Sequence, residues 1–129
     1  MRYSQTLLDH FLNPRNAGFM RDADGVGEEA DAACGDLARF FLRAVAGVVR
    51  EARFQTYGCG PTIAAASAAS ELVTGRPVAD VAQLKADDVE RALEGLPDDR
   101  KHAADLVARA LQAAARSCLA REDGPRKEQ

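Results

Sequence analysis

Two ten-residue stretches joined by a two-residue break constrain this chain more than anything else in it. From Asp36 to Val45, Ala38, Phe40, Leu42 and Ala44 alternate with Arg39 and Arg43. From Val48 to Tyr57, Ala52, Phe54 and Thr56 alternate with Arg53 and Gln55. A period of two places one set on a buried face and the other in solvent, so each stretch reads as a strand. Ala46-Gly47 between them is a tight-turn signal, and the pair reads as an antiparallel hairpin.

The hairpin has a chemical consequence. Cys34 precedes its first strand and Cys59 follows its second, so both thiols are expected at one edge of the sheet. Cys59 stands in Gly58-Cys59-Gly60, ahead of an alanine-rich segment from Thr62 to Thr74 that reads as a helix closed by Gly75. Glycines let a backbone approach a ligand closely. A helix N-terminus presents N–H groups and a positive partial charge, and the thiolate is the form of sulfur that binds metal. Asp36, two residues beyond Cys34, is either an added oxygen ligand or a turn aspartate in solvent.

Elsewhere, Tyr3 to Leu12 carries apolar residues at helical spacing, with Ser4 as its cap and Asn13-Pro14 as its stop. Gly18 to Asp24 reads as irregular chain. Gly25 and Gly27 read as turns around a short strand reaching Ala30. Val78 to Leu84 and Asp87 to Leu93 read as short helices. Asp98 to Ala120 reads as one long amphipathic helix, with Leu106, Ala110, Leu111, Ala114 and Cys118 on its stripe. Helix, strands and then a run of helices argue for an α+β domain. Residues 1–121 form that domain and residues 122–129 a polar tail.

The chain has 129 residues and a net charge of −3, with its basic residues scattered among acids. That suits one domain and argues against nucleic-acid binding. No apolar run of about 18 residues indicates a membrane span, and the first residues do not read as an export signal, which leaves the cytoplasm. Three cysteines in such a chain do not make a disulfide framework. Cys118 lies on a helical stripe with no glycine nearby, about 24 Å along the axis from His102 at roughly 1.5 Å per residue, and reads as a core or surface thiol. His102 by local sequence is a helix-start residue, and no spacing rule ties it to the thiols. His10 reads as structural, and Tyr57 as a packing residue.

These residues resemble a known family. Asp9-His10-Phe11-Leu12-Asn13-Pro14-Arg15-Asn16-Ala17-Gly18 looks like the DHF-x-NPRN-x-G opening of NifU/IscU-type iron–sulfur scaffolds. Ala33-Cys34-Gly35-Asp36 is similar to their first cysteine motif, and Ala52 to Gly60 to their second. The segment from Leu96-Pro97 to His102 resembles the region before their third. The resemblance implies a three-stranded antiparallel sheet packed against several helices, with a long C-terminal helix. It implies a scaffold or carrier, not an enzyme, that takes sulfur from a cysteine desulfurase, holds a transient [2Fe–2S] cluster and passes it to iron–sulfur acceptor proteins. The matching ligand positions are Cys34, Asp36, Cys59 and His102, and zinc can occupy the same site.

Two departures stand out. The family places His-Cys where this chain has His102-Ala103, so the third cysteine, a ligand and sulfur acceptor, is missing. Its chaperone-recognition segment, commonly LPPVK, is here Leu96-Pro97-Asp98-Asp99-Arg100, so the resemblance does not carry docking of an Hsp70-type chaperone to this chain. Three readings follow: an iron–sulfur scaffold, which is favoured; a zinc-binding module or zinc-assisted sulfur acceptor of the same fold; and a divergent paralogue acting only as an interaction partner.

Overall fold

The two alternating stretches pair as the pattern requires. In the computed structural model, which describes residues 3–33 and 35–123, Asp36–Val45 (β2) and Val48–Tyr57 (β3) form an antiparallel pair with Phe40 opposite Phe54 and Leu37 opposite Tyr57. A preceding strand, Gly25–Asp31 (β1), pairs antiparallel with the other side of β2, so the sheet is a three-stranded meander in the order β1-β2-β3. The inner face carries Ala38, Phe40, Leu42, Ala52 and Phe54, all buried. Full burial of one such phenylalanine stabilises the fold by roughly 1.5–3 kcal/mol.

Helices cover that face. The first, Gln5–Leu12 (α1), is capped by Ser4, whose Oγ accepts from the Leu7 amide and donates to the Leu93 carbonyl. Gly60–Val73 (α2) is buried on nearly all sides, because α1, β3 and the later helices pack around it. Its run of alanines is what permits that crowding. Two short helices, Val78–Val81 (α3) and Ala86–Ala92 (α4), lead to the last one. The long helix expected from Asp98 is interrupted: Asp98–Arg100 forms a single 3-10 turn, and the α-helix (α5) runs His102–Asp123. His102 is therefore its first residue. Leu106, Ala110, Leu111, Ala114 and Cys118 are all buried, as their stripe predicts. Of the polar tail, residues 124–129 lie outside the described residues.

Gly25 and Gly27 are not turns. They lie inside β1, paired with Leu42 and Phe40. A Cβ on Gly27 would stand 2.2 Å from the Ala114 amide nitrogen, and one on Gly25 would stand 2.3 Å from the Ala114 carbonyl oxygen. Helix α5 lies directly on the strand backbone, and only glycine leaves room for it.

The outer edge of β3 is covered by chain that is not strand. Gly18 donates to the Phe54 carbonyl and Phe54 to the Asn16 carbonyl, while Gly75 and Val49 bond across the strand's other half. At Phe54 and Val49, then, the edge is already paired and not open to another strand. On the outer face of the sheet, Phe19 packs edge-on against Phe41, ring centroids 5.3 Å apart. Tyr57, expected to pack, is instead 72% exposed. It is four residues along β3 from Arg53, the partner of Phe41, about 13 Å at roughly 3.3 Å per residue, and beyond the reach of that cover.

Candidate functional site

The open end of the β2–β3 hairpin meets the start of α2 and the start of α5. Asp36 is the first residue of β2, Cys59 is the N-cap of α2, and His102 opens α5. Their donor atoms all lie within 4.8 Å of one another. Asp36 Oδ2 is the hub: it is 3.7 Å from Cys59 Sγ and 3.6 Å from His102 Nε2. Two ligands on one tetrahedral ion, each about 2.0–2.3 Å from it, stand roughly 3.5 Å apart, so both spacings suit a shared metal.

Asp36 is only 5% exposed, which removes the alternative of a turn aspartate in solvent. A buried carboxylate requires partners. Besides Cys59 and His102 it has Thr62, whose Oγ1 donates to Oδ2 at 2.8 Å and lies 3.4 Å from Cys59 Sγ. Thr62 is fully buried. It was not among the residues that sequence reasoning singled out. The available signal was its position: the third residue after Cys59 on a helix start lies one turn along, within side-chain reach of the cap.

Glycines flank Cys59 for packing reasons. A Cβ on Gly58 would collide with the Asp36 carboxylate, and one on Gly60 would press on the Phe11 ring at 3.1 Å. Cys34, the fourth expected ligand, lies outside the described residues; its neighbours Ala33 and Gly35 bond back to Asp31 in the connection between β1 and β2. Ala103, which stands where the family pattern has its third cysteine, is fully buried. Cys118 is also buried, against Gly25 of β1, and is not part of the group.

The opening motif serves architecture. His10 is buried and accepts at Nδ1 from Ser67 Oγ at 2.8 Å and from the Arg15 guanidinium at 3.0 Å. A guanidinium has no acceptor, so Nδ1 must carry no proton and the ring is neutral. Burial first, and then the Arg15 charge, hold His10 below its ordinary value, against the opposing pull of Glu71 and Asp9. Arg15 also donates to Asp9, its backbone amide donates to Ser67 Oγ, and Asn16 donates to Ser70 Oγ. Two serines buried in α2 thus anchor the Pro14–Asn16 bend beside the site.

The family follows from comparison with known proteins. The sequence matches the NifU-like N terminal domain over residues 2–123. The chain belongs to this family. Among NifU-like relatives, the "Iron-sulfur cluster assembly scaffold protein IscU 1" of Archaeoglobus fulgidus is 39% identical over 112 residues, covering 87% of this chain and 73% of the relative. The "Iron-sulfur cluster assembly scaffold protein IscU" of Escherichia coli is 36% identical over 118 residues, covering 88% and 91%. The fold is also that of a crystal structure of a nitrogen-fixing NifU-like protein (N-terminal) from Brucella abortus, with a TM-score of 0.72 at 19% identity over 94% of this chain and 95% of that one. Among the described residues, no helix is long and apolar enough to cross a membrane.

Proposed function

We propose that this NifU-like chain is an iron–sulfur cluster scaffold or carrier that holds a transient [2Fe–2S] cluster on Cys34, Asp36, Cys59 and His102 for transfer to acceptor proteins. The observation that carries this is the convergence of a thiol, an imidazole and a buried carboxylate within 4.8 Å at the mouth of the hairpin. The names of relatives sharing 36–39% of its residues support the same reading. The cluster is cargo, and its assembly draws on iron and on sulfur from a cysteine desulfurase.

Each residue has a part that its chemistry suits. Cys59 supplies a sulfur ligand of the kind that clusters require, and His102 a nitrogen ligand of the mixed type known for [2Fe–2S] centres. Asp36 supplies an oxygen, a harder and weaker partner for iron in a sulfur cluster, which favours release over retention. Asp36 is buried with that oxygen 3.7 Å from Cys59 Sγ and 3.6 Å from His102 Nε2. Placement in the cytoplasm, and a role without turnover of a small-molecule substrate, belong to the same reading. Zinc is the competing occupant, since one or two thiolates with histidine and carboxylate also suit a tetrahedral zinc ion.

Anaerobic reconstitution with ferrous iron and sulfide is the test. The expected outcome is a [2Fe–2S] absorption spectrum with matching iron and acid-labile sulfide, abolished in Cys59→Ala. Folded protein that takes up zinc stoichiometrically but never develops the chromophore would overturn the scaffold reading and favour the zinc one.

A further inference from the structure

One further buried polar side chain stands against Asp36 and Cys59. Thr62 is fully buried on the first turn of α2, just ahead of the buried alanines that begin at Ala64. Its hydroxyl has two neighbours, and both are proposed ligands: Asp36 Oδ2 at 2.8 Å and Cys59 Sγ at 3.4 Å. A hydroxyl has one proton to donate. The shorter contact, to a carboxylate that is an acceptor only, takes it.

From this geometry we infer that Thr62 is a positioning residue for the metal or cluster site, acting on Asp36. This rests on the reading of Asp36, Cys59 and His102 as ligands. Asp36 Oδ2 is also the atom that faces both His102 Nε2, at 3.6 Å, and Cys59 Sγ, at 3.7 Å, so its direction sets where a bound ion sits relative to both. The other side of the carboxylate is walled by Gly58. Thr62 therefore fixes, by its hydrogen bond, the rotation of a carboxylate that Gly58 bounds on one side. Hydrogen-bond partners of metal-ligating carboxylates orient them, and their removal costs about 10–100-fold in metal affinity.

The hydroxyl and the methyl of threonine make opposite predictions, which separates positioning from packing. Titrating the metal-free chain with cobalt(II) reads both affinity and geometry, through the sulfur-to-cobalt charge-transfer band and the ligand-field bands. Thr62→Val keeps the volume and loses the hydroxyl; it is expected to bind about 10–100-fold more weakly, with shifted ligand-field bands. Thr62→Ser keeps the hydroxyl and loses the methyl; it is expected to restore both. Thr62→Ala, which fits an alanine-lined helix, replaces the valine variant if circular dichroism shows that variant unfolded. Wild-type affinity and spectrum in the hydroxyl-free variant, or a serine variant as weak as it, would overturn the role of Thr62 while leaving the site intact. Absence of any Cys59-dependent cobalt band in the wild type would instead remove the ligand reading itself, and the inference with it.

Discussion

The Asp36 carboxylate fills the space that a side chain on Gly58 would need. A Cβ on Gly58 would stand 2.7 Å from both Cγ and Oδ1 of Asp36. The two residues follow each other across the β2–β3 ladder, one step beyond the Leu37–Tyr57 pair. Gly58 thus forms the wall against which Asp36 is held, and residue choice at one position decides the geometry of the other.

Gly58→Ala should therefore damage the site more than the fold. Asp36 cannot swing into solvent without leaving its buried place, so the carboxylate is displaced from His102 and Cys59. Cobalt affinity is expected to fall about tenfold or more, as for loss of other groups that orient a ligand. The melting temperature should change less than for a core truncation. An alanine variant with unchanged affinity would show that Asp36 is not held by this contact.

Metal should stabilise the fold, and by way of Cys59 but not Cys118. A ligand bound only by the native state adds about 2.7 kcal/mol at a free concentration of 100 times Kd. Zinc should raise the melting temperature of the wild type and of Cys118→Ala, and a chelator should reverse it. Cys59→Ala should show no rise. Cys118→Ala itself, at a buried position packed on β1, is expected to lower metal-free stability by about 1 kcal/mol. Equal zinc-induced shifts in all three proteins would place the binding elsewhere.

His10 should make the metal-free fold sensitive to mild acid. Its value lies below the ordinary 6.5 in the folded state, chiefly through burial and next through the Arg15 charge. The unfolded chain then takes up a proton first as the pH falls. The fold keeps its full stability above about 6.5 and loses it progressively below, down to the folded-state value. Denaturant melts between pH 7.5 and 5 should show this slope, and His10→Gln should flatten it. An identical slope in the variant would assign the acid sensitivity to other groups.

Gly27→Ala should be among the most damaging single substitutions. The added carbon meets the backbone of α5 at Ala113 and Ala114, which cannot rotate away. Overpacking of this kind costs about 1–3 kcal/mol and sometimes more. Gly47→Ala offers the contrast, since a Cβ there meets nothing within 4 Å and only the backbone angle of +78° resists it. A Gly27→Ala protein that melts like the wild type would mean that α5 does not sit this close to β1.

Much of the fold was legible because its signals are local. Alternation set both strands of the hairpin to their observed ends, Asp36–Val45 and Val48–Tyr57. The Ser4 cap and the α5 stripe were equally readable. Gly25 and Gly27 misled because glycine has two uses, turning a chain and admitting a neighbour, and only the neighbour tells them apart. Tyr57 misled for a related reason: an aromatic at a strand end packs only if some other segment arrives to cover it.

The site divides along the same line. The sequence by itself determined that Cys59 would leave the hairpin at the edge where β2 begins, since strand pairing is dictated by side-chain period and turn length. It named Asp36 and His102 as ligands mainly through resemblance. The tertiary structure decided that α5 starts at His102 rather than four residues earlier, that its imidazole reaches Asp36, and that Thr62 stands between Asp36 and Cys59. The contacts of Asp36 with Thr62 and with His102 join residues 26 and 66 positions apart, and no local rule of backbone or periodicity spans such a distance. The His102–Asp36 contact in particular depends on α5 lying against Gly25 and Gly27 of β1, which fixes the helix along the sheet.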